Sequence, residues 1–519
     1  MKKYPTQITP PFNPWQDEAY TTPLHLGNLK IKPVDLLAGT LVTGATGSGK
    51  TRSLVLPLID KVVGRFGNAP DEKAAMIVID AKADMNEHIS ELFKNSPRQS
   101  DIYTLGPNGN CWFDLFDHCR GSANQAAEFL FDLLESYYGA GNRGGNNDSF
   151  WEENARRLLV CSCIVAKARH GSSLGSIPGL QVALQTITSI RPNDSEEEIN
   201  FENENNCLLP LREMLTEGVA EDRITEKEYQ HVISYCQMDI LRLHSKTWGI
   251  ISNMTRNYLS RLNVDAFTKL FCEHPGAKRI TPEAIIDEGL ILIINFSPVL
   301  FQSVAEPFAR AVKRAICTRI LQRAHLVKEE GNAIRYINQQ RPVLFVMDEF
   351  HTTLTPGGRG NEAFFLDRCR EFRCMTILAT QSIEAIRSQM PNEAVVNHLI
   401  NNCRSKFFFN TTCPTTRSYI RTMVSRCRRP NIAWTYVARA PKPMFRLPNY
   451  ISRPSPALTV QSCSTSQEYE KHFDADQILG NLDCGQALAI LGKGEWLKYC
   501  CENFDSLLGI QSLAESPAK

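Results

Sequence analysis

The segment GATGSGKT, Gly44 to Thr51, constrains this chain more than any other feature, because it satisfies the pattern G-x-x-x-x-G-K-[ST] at every fixed position. An apolar run, TLVTG (40–44), precedes it, and a helix-forming stretch from Lys50 to about Val63 follows. That strand–loop–helix setting is what the pattern needs to carry meaning. Glycines let backbone N–H groups curl around a phosphate, and the first turn of the next helix adds its positive end. The expected nucleotide-binding set is therefore Gly44, Ala45, Thr46, Gly47, Ser48, Gly49, Lys50, Thr51 and Arg52. Lys50 reaches the β- and γ-phosphates of ATP in this reading, and the Thr51 hydroxyl ligates Mg²⁺. A Gly-rich turn without function is the competing reading.

VLFVMDEF (343–350) supplies the complementary half. Four apolar β-formers precede Met347, so Asp348 emerges at the carboxyl edge of a buried strand. Asp348 then holds Mg²⁺, directly or through a water, and Glu349 polarises the attacking water. The alternative is an acidic pair that caps a helix. Aspartate followed by glutamate is expected where ATP is hydrolysed and is not required where phosphate passes to a small molecule. ILATQS (377–382) reads as a further strand ending in Gln381, positioned to sense the γ-phosphate; a simple turn residue is the alternative. VIDAKADM (78–85) puts Asp80, Lys82 and Asp84 just after another strand, or in an ordinary solvent-facing loop.

A chain of 519 residues suggests about two or three domains. The fold class read from the pattern is α/β: a RecA-like P-loop ATPase domain with an inserted all-α domain. Residues 1–35 are a Pro-rich arm, 36–115 the first part of the ATPase domain, and 116–285 a mainly helical insertion. Residues 286–505 complete the ATPase domain, and 506–519 form a tail. The strand-like runs are AAMIVIDAK (74–82), GLILIINF (289–296), PVLFVMDEF (342–350), CMTILATQ (374–381), SKFFFNT (405–411) and QALAILG (486–492). Within the insertion, GAGNRGGNND (139–148) is loop-like, the stretch from Phe150 to about Arg169 is amphipathic, and DSEEEINFENEN (194–205) reads as a solvated linker. No internal repeat is found.

Lys and Arg (57) nearly cancel Asp and Glu (56), so polyanion binding must come from a local patch rather than a global field. The start, MKKYPTQITPPFNPW, lacks the apolar run of a signal peptide. The longest apolar stretch, Gly289 to Phe301, is too short to span a bilayer and contains Asn295 and Pro298. The 17 cysteines are scattered without CxxC spacing, as buried reduced thiols in a cytoplasmic protein would be.

These segments, in this order and with a helical insertion between the second and third, resemble the type IV coupling proteins, the TraG/TraD-like family of FtsK/HerA-type P-loop ATPases. VIDAKAD is similar to the family's "DpKg" loop. WFDLF (112–116) resembles its "fNPf" element, with Asp114 in the Asn position, and FWEENARRLL (150–159) fits "fWe..A..ll" closely. NLDCGQALAI (481–490) is similar to the closing "l..Gqal" strands, so the resemblance covers roughly residues 35 to 500. It implies a homo-hexameric ring, possible as a monomer in isolation, with ATP sites between subunits. Single- or double-stranded DNA, with any attached protein, would be pumped toward a type IV secretion channel. Family members usually carry N-terminal membrane helices, and none is read here. The expectation is a cytoplasmic protein, peripheral at the inner face of the membrane through a separate anchor subunit.

An inter-subunit site needs a cation in trans against the γ-phosphate. Arg404 and Lys406 (NCRSKFFF) are the favoured candidates, with Arg417 and Arg370 behind them, and an ordinary surface charge is the alternative for each. Arg421, Arg426, Arg428 and Arg429 cluster in RTMVSRCRRP and could contact phosphates, form a solvated helix face or meet another subunit. Against the DNA translocase stand two rivals: an ATPase that recruits protein effectors to a secretion machine, and a nucleotide-switched assembly module.

Overall fold

The computed structural model describes residues 13–67, 72–119, 121–138, 148–171, 174, 177–190, 201–262, 265–297, 301, 305–323, 327–330, 333–336, 341–355, 362–390, 392–423, 426–439, 457–471, 479, 482–491 and 496–500. Most of GAGNRGGNND, the start of the acidic run and the expected tail lie outside these residues.

Nine strands join in one sheet: β1 (Thr40–Thr43), β2 (Ala75–Asp80), β3 (Ile102–Leu105), β4 (Ile291–Asn295), β5 (Val343–Met347), β6 (Cys374–Thr380), β7 (Ser405–Phe409), β8 (Gln486–Ile490) and β9 (Trp496–Cys500). Their spatial order is β9-β8-β7-β1-β6-β5-β2-β4-β3. Every pairing from β7 across to β3 is parallel. β8 and β9 add an antiparallel edge beside β7.

The apolar runs of the sequence become strands buried on both faces because side chains alternate across a pleat. In β5, Val343, Phe345 and Met347 enter one core, while Leu344 and Val346 enter the other. In β2, Ala75, Ile77 and Ile79 go one way, Met76 and Val78 the other. The first core continues into the helical insertion and the helices Ala305–Gln322, Glu362–Cys369, Ile383–Gln389 and Glu393–Asn402. The second is covered by Leu56–Arg65, Met85–Leu92 and a short N-terminal hairpin, Leu24–Leu26 with Leu29–Ile31.

That hairpin differs from the expected arm. From residue 13 the lead-in is structured, and Tyr20, Leu24, Leu26, Leu29 and Ile31 are buried against the nine-stranded sheet. Strands of three residues carry too little alternation to be read in advance.

The helical insertion holds Ala123–Tyr138, Asp148–His170, Ile177–Thr188, Phe201–Ala220, Glu226–Tyr235, Ser245–Leu262 and Asp265–Phe271. Its base is a parallel pair, Cys111–Phe113 with Lys278–Ile280, which sets the outgoing and returning chain side by side. Arg279 clamps this neck, its guanidinium 2.6 Å from the Asp114 carboxylate. The expected loop at 201–205 is instead the start of the helix Phe201–Ala220.

Beyond β7 the four-arginine cluster divides. Arg421 lies on the helix Pro414–Met423, while Arg426, Arg428 and Arg429 begin a long strand, Arg426–Arg439. That strand pairs antiparallel with Ala457–Lys471 as a separate two-stranded ribbon. A single helix face bearing all four is therefore excluded. Among the described residues, no helix is long and apolar enough to cross a membrane.

Candidate functional site

Four adjacent strands, β1, β6, β5 and β2, bring their carboxyl ends together, and the singled-out motifs sit there. β6 intervenes between the strand that leads into Gly44–Thr51 and the strand that ends in Asp348, the strand order of RecA-like P-loop proteins.

The loop 44–51 owes its shape to three glycines. Gly47 and Gly49 have φ of 77° and 91°, open to glycine at little cost. A Cβ on Gly44 would lie 2.5 Å from Phe409 Cβ and 2.7 Å from Ser48 Oγ. The helix that follows begins with a π-turn, Thr51–Val55, and continues as Leu56–Arg65. Ala45, Thr46, Gly47 and Arg52 are exposed, and Thr51 is half-buried. Lys50 is buried, and its ammonium donates to the carbonyls of Gly44 (2.6 Å) and Ala45 (3.3 Å). Burial pulls its pKa down and Lys82 adds to that, while Glu349 and Asp348 oppose.

Asp348 follows β5, where its N–H donates to the Ile79 carbonyl of β2 (3.0 Å). Asp348 is 1% exposed, and among the described residues neither of its carboxylate oxygens has a hydrogen-bond partner. Burial pushes its pKa up to about 6, against the pull of Lys82 and with help from Glu349, Asp80 and Asp84. Oxygens of Asp348, Asp80 and Asp84 lie within 4.8 Å of one another. A buried carboxylate without a partner is costly, and a cation is the partner that suits this donor set. The residues therefore fit a divalent ion.

Glu349 sits in the left-handed region, φ 47° and ψ 44°, and is buried. Lys82 Nζ lies 2.5 Å from its Oε1, and His351 Nδ1 lies 3.6 Å from its Oε2. His351 Nδ1 is also 3.1 Å from Thr380 Oγ1, the last residue of β6. Burial lowers the His351 pKa, Glu349 opposes, and both lysines add to the fall. Burial works against charge on Lys82 as well, yet its contact with Glu349 and the field of Asp348 leave its pKa raised. Gln381, one residue past β6, is exposed at this same edge.

Of the trans candidates, Arg404, Lys406 and Arg370 lie toward the opposite edge, while Arg417 sits just past the carboxyl end of β7. Arg404 precedes β7, which runs parallel to β1 with Ser405 opposite Thr40, so it lies at the amino-terminal edge of the sheet, away from this chain's own loop 44–51. It is exposed, and its N–H donates to the Ala38 carbonyl (3.0 Å). Lys406 is buried, its ammonium donating to the Cys403 carbonyl, and burial lowers its pKa. Arg417 Nε donates to the Thr411 carbonyl (2.9 Å), and Arg370 starts the short turn before β6.

Residues not singled out by pattern also build the site. The loop before β8 clasps the phosphate loop: Gly485 N–H donates to the Ser48 carbonyl (3.0 Å), and the Cys484 thiol to the Gly47 carbonyl (3.3 Å). Asn410, just after β7, accepts the Ala45 N–H (2.9 Å). The glycine of GQALAI was the available signal, since a glycine ahead of a buried strand often marks close backbone approach.

The arrangement defines an α/β, RecA-like P-loop fold. Solved structures agree. The bacterial conjugative coupling protein TrwBdeltaN70, in an unbound form, superposes with a TM-score of 0.56 at 15% identity, covering 93% of this chain and 88% of that one. TrwB with a non-hydrolysable ATP analogue gives 0.51 at 16%, and TrwB with ADP and Mg²⁺ gives 0.50 at 15%, each covering 94% of this chain and 90% of that one. No family model matches the sequence, and no curated protein matches it.

Proposed function

We propose that the chain is an ATP-hydrolysing motor that couples DNA, or nucleoprotein, to a type IV secretion or conjugation channel. The observation that carries the nucleotide half is the convergence of Gly44–Thr51, Asp348, Glu349 and Gln381 at the ends of neighbouring strands. TrwB is a bacterial conjugative coupling protein known in complex with ADP and Mg²⁺, and this chain shares its fold.

In this reading the N–H groups of residues 44–51 bind the phosphates, with Lys50 moving from the Gly44 carbonyl onto the β- and γ-phosphates. Thr51 and Asp348 hold Mg²⁺, which offsets phosphate charge. Water attacks the γ-phosphorus, the bond to the β–γ bridging oxygen breaks, and Glu349 takes the proton released by the water. Gln381, at the end of β6, reports loss of the phosphate to the neighbouring strands. A cation from a second subunit, with Arg404 the accessible candidate, stabilises charge on the transferring group. The ring is a homo-hexamer in the cytoplasm, held at the membrane by a partner subunit.

The test is steady-state ATP hydrolysis with and without single- and double-stranded DNA. Lys50→Ala should abolish turnover through lost binding. Glu349→Gln should cut kcat at least about a hundredfold while ATP still binds, the loss expected for a general base. Hydrolysis indifferent to DNA would sink the DNA motor and favour an ATPase that recruits protein. Unchanged function in Glu349→Gln would point to a nucleotide-switched assembly module.

A further inference from the structure

The loop after β2 sets a second lysine beside the acidic pair, and the mechanism above leaves it unused. Its backbone is fixed. The buried Asp80 carboxylate accepts the N–H groups of Lys82 (3.0 Å), Ala83 (2.8 Å) and Met85 (2.9 Å). Ala83 is held at φ 66°, a conformation that a non-glycine residue keeps only when its surroundings impose it. Movement at this position is therefore left to the Lys82 side chain.

Both oxygens of Glu349 face side chains of this chain, Oε1 at 2.5 Å from Lys82 and Oε2 at 3.6 Å from His351. Lys82 is thus the cation that balances this buried carboxylate in the nucleotide-free chain. The two members of the ion pair differ in freedom: the Glu349 side chain is 4% exposed, that of Lys82 36%. Glu349 is further fixed by its left-handed backbone. The lysine can leave and the glutamate cannot. Lys82 also lies close enough to Lys50 for the two charges to repel. Phosphates bound at 44–51 would thus come within its field, and a triphosphate brings more charge than one carboxylate offers.

We propose that Lys82 is a positioning residue that exchanges partners, holding Glu349 in the nucleotide-free chain and moving to the terminal phosphate of ATP. ADP lacks that phosphate, so the exchange separates ATP from ADP. His351 and Thr380 continue the contact from Glu349 to β6, so the release is felt beside Gln381. The inference rests on the reading of Gly44–Thr51 as the nucleotide site.

A binding cycle tests it without turnover. Wild type, Lys82→Gln, Glu349→Gln and the double variant are titrated with a fluorescent non-hydrolysable ATP analogue and with ADP, both with Mg²⁺. Lys82→Gln should weaken the triphosphate roughly tenfold and change ADP less than about twofold, the size of one charge-assisted contact. Glu349→Gln should tighten the triphosphate by releasing Lys82, the double variant should lose that gain, and Lys82→Arg should keep the discrimination. Equal loss for both nucleotides in Lys82→Gln would reduce Lys82 to a structural residue and overturn the proposal. So would a Glu349→Gln gain that survives in the double variant, since that reports only relieved repulsion. Binding without hydrolysis in wild type would sink the motor reading yet leave the exchange decided by the same titrations. Absence of binding for both nucleotides would overturn both.

Discussion

Glycine is required at positions 49 and 485 for two separate reasons, conformation and space. Gly49 has φ 91°, and a Cβ there would lie 2.7 Å from Gly485 N. Gly485 has φ 85°, and its Cβ would meet Ser53 Oγ at 2.8 Å. Gly485→Ala should therefore lift the clasp off the Ser48 carbonyl and raise the nucleotide Kd about tenfold, a strain of roughly 1–2 kcal/mol. Gly64, inside a helix with nothing within 4 Å of an added Cβ, is the contrast. Gly64→Ala should leave nucleotide binding alone and add about 0.5–1 kcal/mol of stability, read as a higher Tm. Equal effects at the two positions would show that the clasp has no role in binding. The shape of the loop 44–51 was legible because its geometry is set by its own neighbours in the chain. Asn410 and His351 were not, because their partners lie on other strand ends and no local pattern reports them. Gly485 was marked by its place ahead of a buried strand, but its partner was not. The Lys82–Glu349 pair was half legible: both residues stood out, but only the side-by-side pairing of β2 and β5 brings them together.

Elements of continuous apolar sequence were legible as strands, and the residues of β1, β2, β4, β5, β6, β7 and β8 fall inside the runs read beforehand. Burial on both faces makes such runs unambiguous. The long ribbon was not legible, because RTMVSRCRRP carries charge where a strand signal would need apolar alternation. The neck of the insertion was missed for a different reason, three residues on each side being too few to show a period. Its electrostatics can be tested. Asp117 is pushed up to about 6, by burial first and then by Asp114 and Glu283, against Arg279 and Arg319. A folded-state pKa above the usual value means the folded chain binds this proton more tightly. The stabilisation is present below about pH 4 and is lost as pH rises through about 6. Asp117→Asn should therefore raise Tm at pH 8, on the order of 2 kcal/mol at most for so partly exposed a group, and leave it unchanged near pH 4. A gain of the same size at both pH values would mean that the buried charge is not the cause.

At the scale of the whole molecule, the position of Arg404 sets a prediction about assembly. It lies at the sheet edge opposite this chain's own loop 44–51, so a role in hydrolysis requires a neighbouring subunit. Arg404→Ala and Lys50→Ala should each be inactive alone, and mixing them should restore part of the ATPase rate, because some interfaces then pair an intact loop with an intact arginine. No recovery on mixing, with Arg404→Ala fully active alone, would remove Arg404 from the mechanism. The helices from Ala123 to Phe271 fall where the strand-like runs of the sequence stop and before they resume. What the sequence did not report is how the chain crosses between sheet and insertion. The chain leaves and returns through neighbouring strands, Cys111–Phe113 and Lys278–Ile280, yet the core itself runs on from sheet to insertion, as where Phe271 packs on Phe308 of the helix Ala305–Gln322. A different module grafted at this neck would therefore have to bring a matching surface for the helix Ala305–Gln322, or the shared core would be left open to water.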